Sequence, residues 1–157
     1  MTGDSVISTK IAFGAGTVQL ELSPINPKWV LEGNPVSHNK LLSTSADGTA
    51  RTLFWDCSAG RFNWFYDIDE TAYLLVGSAT IKNQEGSVRR VVAGDWIYFP
   101  KGSYAEWTVD DYVRKVAFCR SPLPKPFQFA RRIYRGLKKL TGHGATGAQV
   151  PAMFHGG

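Results

Sequence analysis

Cysteine and histidine are both scarce in this chain, with two of the first and three of the second in 157 residues. Cys57 and Cys119 are too few and too far apart in sequence for a disulfide framework or a paired-thiolate zinc site, so they read as reduced core thiols. No run of about 18 apolar residues occurs, which leaves nothing to span a membrane as a helix. The opening stretch Met1–Lys10 lacks the apolar segment that a secretory signal needs, and a cytoplasmic protein is the expectation. Acidic residues are missing from residues 121–157, which contain Lys125, Arg131, Arg132, Arg135, Lys138 and Lys139. The net charge of +5 is therefore a property of the tail, because residues 1–120 carry 12 basic against 13 acidic side chains, a balance of −1. Nucleic-acid binding would have to rest on the tail alone, and none is expected.

What the chain does have is apolar and aromatic residues, at 43% and 13%. At this length they close one sizeable core, not two. From Thr49 onward, short runs dense in aromatic and β-branched residues alternate with tight turns, which favours an all-β barrel or sandwich over alternating strands and helices. Expected strands cover Thr52–Cys57, Arg61–Tyr66, Glu70–Val76, Ser87–Val92, Trp96–Phe99, Glu106–Val109 and Tyr112–Cys119. Turns fall at Ser58–Gly60, Gln84–Gly86, Ala93–Asp95, Pro100–Gly102 and Asp110–Asp111. Trp96–Phe99 reads as a buried strand.

Before this core, residues 1–48 hold β-rich runs over Val6–Gly14, Thr17–Leu22 and Lys40–Ser45, punctuated by Pro24, Pro27 and Pro35. Proline does not sit inside central strands, so this third is expected to wrap the core or supply edge strands. Trp29 reads as a lid or a dimer contact, and His38 as a solvated loop residue. After the core at 49–120, residues 121–126 form a stiff Pro-rich connector. Residues 127–141 then place Ala130, Ile133, Tyr134, Leu137 and Leu140 at helical spacing among basic residues. The reading is a basic amphipathic helix that packs on its own core or mate, or meets an anionic membrane surface or acidic protein through residues 127–140. Residues 142–157 read as flexible.

Glu70, six residues, then Gly77 resembles the end of the first cupin motif. Gly94, five residues, Pro100, one residue, Gly102 is similar to the start of the second. The fuller strings CSAGRFNWFYDIDETAYLLVG and AGDWIYFPKGSYAEWTVDDYVRK resemble the small cupins grouped with the (S)-ureidoglycine aminohydrolase cupin domain and the ethanolamine-utilisation cupins. The likeness covers about residues 50–120. It implies a small double-stranded β-barrel of jelly-roll type, a homodimer, with a ligand site in the barrel's mouth and interior.

Metal-dependent members of that superfamily place a His-x-His pair just before the glutamate. Here those positions hold Trp64 and Tyr66, or Asn63 and Phe65, and the fourth ligand position holds Ala105. Only Glu70 survives, and a divalent ion needs three or four convergent donors. No metal and no cofactor are expected. His143 and His155 lie in the tail.

Strand parity puts Glu70, Ala72, Leu74 and Val76 on one face of their strand, with Tyr73 and Leu75 on the other. Lys115, Ala117 and Cys119 likewise share a face. If Glu70 points inward, desolvation raises its pKa unless a cation answers it. Lys115 is the first candidate, with Tyr66 and Tyr73 as hydroxyl donors, and such a set orients a polar ligand or acts as acid and base. The alternative is a purely structural pair. Trp55, Phe62, Trp64 and Trp107 either stack on a flat or sugar-like ligand or are simply core, and Arg61 either meets an anion at the mouth or is a solvated turn cation.

Three functions follow. The leading one is a cupin that binds a small polar metabolite in its barrel without a catalytic metal. The second is a metal-independent isomerase, epimerase or lyase using Glu70 with Lys115 or a tyrosine. The third is an interaction protein acting through its basic helix.

Overall fold

A computed structural model of the chain describes residues 11–122 and, beyond them, Ile133. The expected helix over 127–141, the connector beyond residue 122 and the tail 142–157 lie outside the described residues, Ile133 apart, as do residues 6–10 of the first expected strand. The described elements are β1 (Glu21–Leu22), a single 3-10 turn (Pro27–Trp29), β2 (Val30–Glu32), β3 (Ser37–Thr44), β4 (Ala50–Phe65), β5 (Asp69–Asn83), β6 (Val88–Val92), β7 (Trp96–Phe99) and β8 (Tyr104–Arg120). All pairings are antiparallel, in the order β1-β3-β4-β8-β5-β6, with β2 on β4 and β7 on β5. The fold is all-β, as the turn spacing predicts.

Strand β8 is the spine. It pairs along its length with β4, from Ala50↔Arg120 to Phe65↔Tyr104, and on its other edge with β5, from Asp69↔Arg120 to Asn83↔Ala105. Strands β4 and β5 both shift register against the middle of β8. Strand β4 is irregular between Ser58 and Gly60, and β5 between Leu74 and Val76 and again between Gly77 and Thr80. The β4 break and the second β5 break lie opposite Val109–Tyr112 of β8, and the first β5 break opposite Arg114 and Lys115.

These irregularities decide which side chains are buried. On β4 the buried set runs Trp55, Cys57 and then Phe62, moving from odd to even numbers across the bulge. On β5 it runs Glu70, Ala72, Leu74 and then Ala79, Ile81, moving from even to odd. Strand β8 keeps one parity, with Ala105, Trp107, Val109, Val113, Lys115, Ala117 and Cys119 all buried. An extra residue in one strand turns every later side chain to the other face. Full burial of Phe62 and of Leu74 contributes about 1.5–3 kcal/mol each.

Several sequence expectations change. Ser58–Gly60 is a bulge inside one long strand, not a turn, and β5 runs on past Gly77 to Asn83. The two strands expected around Asp110–Asp111 are the single strand Tyr104–Arg120. Val76 is exposed because the bulge between Leu74 and Val76 rotates it outward. Trp96–Phe99 has the expected bounds, but Trp96 and Tyr98 face outward while Phe99 is buried.

In the N-terminal third, the strand expected over Thr17–Leu22 shrinks to Glu21–Leu22, and Ile11 and Phe13 are exposed outside any strand. Among the described residues β1 pairs with β3 alone, at one end of the strand order. The Ala46-Asp47-Gly48 turn joins β3 to β4. There Asp47 Oδ1 accepts from Ser45 Oγ, the Thr49 amide and Thr49 Oγ1, and these bonds hold its carboxyl down at about 2.

Candidate functional site

Glu70 stands on β5, opposite Phe99 of β7 and Cys119 of β8. Lys115 stands on β8 between Trp55 of β4 and Leu74 of β5. Both point into the core, where Glu70 is 8% and Lys115 5% exposed. The ammonium Nζ donates to Glu70 Oε1 at 2.5 Å. It also lies 4.9 Å from the Trp55 ring centroid and 5.0 Å from that of Trp107, so two indole faces share its charge. Among the described residues the one hydrogen-bond donor to Glu70 Oε2 is the Cys119 thiol, at 3.9 Å.

Tyr66 closes another side. Its ring stacks on Phe99 at 4.2 Å and 6°, and its hydroxyl accepts from Trp107 Nε1 at 3.1 Å. Burial, and then the negative charge of Glu70, push the Tyr66 hydroxyl well above the ordinary tyrosine value. Burial and the same carboxylate raise the Cys119 thiol to about 11. Cys57, deeper on β4, rises to about 12 through burial and then Asp56. Both cysteines are buried free thiols. In this environment an acid stays protonated unless a cation sits on it, and Lys115 sits on only one acid.

The rings expected to stack on a ligand have different fates. Phe62 and Trp107 stack on each other at 6.4 Å and 4°, with essentially no surface in contact with solvent. A ring that no water-sized probe reaches borders no space for a ligand, so these two take the core alternative. Trp55 is buried edge-on against Phe62, Trp64 and Trp107, and its Nε1 is buried with no hydrogen-bond partner. Trp64 is only partly buried and packs edge-on against Trp29 and Trp55. Trp29 therefore covers this aromatic end from the 3-10 turn.

Two expected site residues lie elsewhere. Tyr73 faces out because it alternates with Ala72 and Leu74, so it cannot share a site with Glu70. Arg61 faces out because the β4 bulge gives the inward direction to Phe62. Its guanidinium bonds Glu32 Oε2 and Glu106 Oε1, both at 3.2 Å, beside a surface cleft of about 320 Å³ that Gly33, Thr108 and Asp110 help to line.

His38 is not a loop residue. It stands on β3 opposite Asp56, with Nδ1 at 2.8 Å from Asp56 Oδ1, while Tyr112 Oη donates to Asp56 Oδ2 at 2.9 Å. The sequence reading missed this cluster, and it missed Phe99 beside Tyr66. Phe99 was legible, since it alternates with the outward Tyr98. The His38–Asp56 pairing depends on the β3–β4 register, which no local pattern gives.

The donors around Glu70 do not fit a divalent ion. The carboxylate already holds a cation, the neighbouring thiol is protonated at neutral pH, and the other close groups are rings. Among the described residues no three His, Cys, Asp or Glu side chains converge.

Residues 44–117 match the model of the EutQ-like cupin domain. Among solved structures, the Clostridium difficile EutQ protein is 25% identical, with a TM-score of 0.50 over 55% of this chain and 69% of that one. A protein of unknown function from Pseudomonas syringae pv. tomato is also 25% identical, with a TM-score of 0.61 over 66% of this chain and 45% of that one. A putative ethanolamine utilization protein Q from Salmonella typhimurium is 21% identical, with a TM-score of 0.50 over 67% of this chain and 98% of that one. No curated protein sequence matches significantly. The family-model match over residues 44–117 and the likeness to the solved EutQ structures together support a cupin-superfamily protein related to the ethanolamine-utilisation cupins.

Proposed function

We propose that this cupin binds a small polar molecule at the Glu70–Lys115 end of its barrel, without a catalytic metal. The observation that carries the reading is the ion pair itself. Two opposite charges are held 2.5 Å apart in an aromatic wall, an arrangement that costs desolvation and that a purely structural core does not need. Glu70, Lys115, Trp55, Tyr66, Phe99 and Cys119 all keep a few per cent of exposure, whereas Phe62, Leu74, Ala72 and Trp107 keep almost none.

Glu70 Oε2 is free to accept, and the ammonium has further N–H groups to donate. The ligand that matches is small and carries an acceptor and a donor close together, such as a hydroxyl or amide beside a carbonyl. Thermal shift across a metabolite panel, followed by calorimetry on the hits, tests the reading. Binding that disappears in Glu70→Gln and in Lys115→Gln, each checked by circular dichroism for an intact fold, supports it. Hits that bind both variants unchanged sink it. Turnover of a hit that collapses in Glu70→Gln would move the account to acid–base catalysis by the same pair.

A further inference from the structure

The outer face of the sheet carries a polar cleft that none of the residues around Glu70 lines. Its volume is about 380 Å³, within the range of small-molecule sites. Register builds it, since Asn63 of β4 and Lys82 of β5 both stand directly opposite Glu106 of β8 and directly opposed residues share a face. The row points outward because the neighbouring Phe62, Ile81, Ala105 and Trp107 are buried. Crossing three strands, it spans roughly 10 Å. Tyr104, 41% exposed, stands in the next row of β8, and its ring packs on that of Phe65 at 5.5 Å and 31°.

We propose that this cleft binds a neutral sugar. A polar row lying flat in water needs no explanation, but this one is concave and has an aromatic wall. Among the described residues its one side-chain bond runs from Arg61 Nη1 to Glu106 Oε1, at 3.2 Å. That bond holds the carboxylate in place and leaves Oε2 to accept. A group fixed in advance costs a ligand less ordering when it binds.

The class of ligand follows from what the row offers. Lys82 only donates, the Glu106 carboxylate only accepts, and the Asn63 carboxamide does both. A hydroxyl also does both, so adjacent hydroxyls on one ring answer all three. Lys82 and Glu106 are the charged residues lining the cleft, and their charges cancel. A carboxylate or phosphate would meet Glu106 as a like charge, and an ammonium would meet Lys82. The Tyr104 ring supplies the remaining element, an aromatic face on which the apolar C–H side of a sugar ring packs.

The test is titration of the full-length protein, by NMR and calorimetry, with glucose, galactose, mannose, xylose and their disaccharides at millimolar concentrations, alongside glucuronate, glucosamine and a hexose phosphate. At least one neutral sugar is expected to bind, more tightly than its charged counterparts. Tyr104→Ala and Glu106→Gln, made separately, should each weaken that binding at least about tenfold, and Glu70→Gln should leave it in place. Should either cleft variant fail to fold, Lys82→Ala, at an exposed position, gives the same readout. The proposal is overturned if no neutral sugar binds, if charged sugars bind better, if folded cleft variants bind unchanged, or if Glu70→Gln abolishes binding.

Discussion

The carbonyl oxygen of Tyr112 lies 1.9 Å from the point where a Cβ on Gly77 would stand, so β5 and β8 close on each other only because residue 77 has no side chain. Its φ of +74° also belongs to glycine. This contact sits beside the register shift of β5 against β8 between Gly77 and Thr80.

Gly77→Ala is therefore expected to cost roughly 3–5 kcal/mol, the steric and backbone costs together. Gly94 has a φ of +97° and nothing within 4 Å of its Cβ position. Gly94→Ala should cost only about 1–2 kcal/mol. Urea denaturation of both variants separates the two costs, and equal destabilisation would contradict the steric account.

The Glu70–Lys115 pair gives a second expectation. Removing one partner leaves a buried charge alone, so Glu70→Leu and Lys115→Met should each cost about 3–5 kcal/mol. The double variant buries no charge and should cost less than either single one. A double-mutant cycle measures this, and strictly additive costs would show that the two groups do not meet in solution.

The thiols set the alkaline limit. Folding raises Cys57 from about 9 to about 12 and Cys119 from about 9 to about 11, so between these values the unfolded chain releases protons that the folded chain keeps. Their stability contribution is complete below pH 9 and is lost as pH rises through 11 and 12. Tyr66 and Tyr112, the latter raised from 10 to about 12 by burial and then its bond to Asp56, act in the same direction. Denaturation midpoints should fall steadily above pH 9. The native thiols should also resist alkylation at pH 8 until the protein unfolds. Rapid labelling of Cys119 in the native state would place it outside the core.

How much of this was legible follows from where parity survives. The Glu70–Lys115 pair was readable because Glu70, Ala72 and Leu74 precede any bulge, and Lys115 lies on a strand that keeps one parity throughout. The inward Phe62 and outward Arg61 were not, because the shift between Ser58 and Gly60 arises in the pairing of β4 with β8, a strand much further along the chain, where Ser58 opposes Tyr112 but Gly60 opposes Val109. Tyr73 was already on the wrong face by alternation. Its candidacy rested on residue type and failed on geometry. The packed state of Phe62 and Trp107 was invisible in sequence, since a ring's composition does not say whether a ligand or another ring covers it.

Calorimetric titration of the native protein with zinc, manganese and nickel, paired with elemental analysis of the untreated preparation, bears most directly on the role given to Lys115. The expected result is no stoichiometric site, because the ammonium 2.5 Å from Glu70 already occupies the carboxylate. One equivalent of bound metal that vanishes in Glu70→Gln would contradict it.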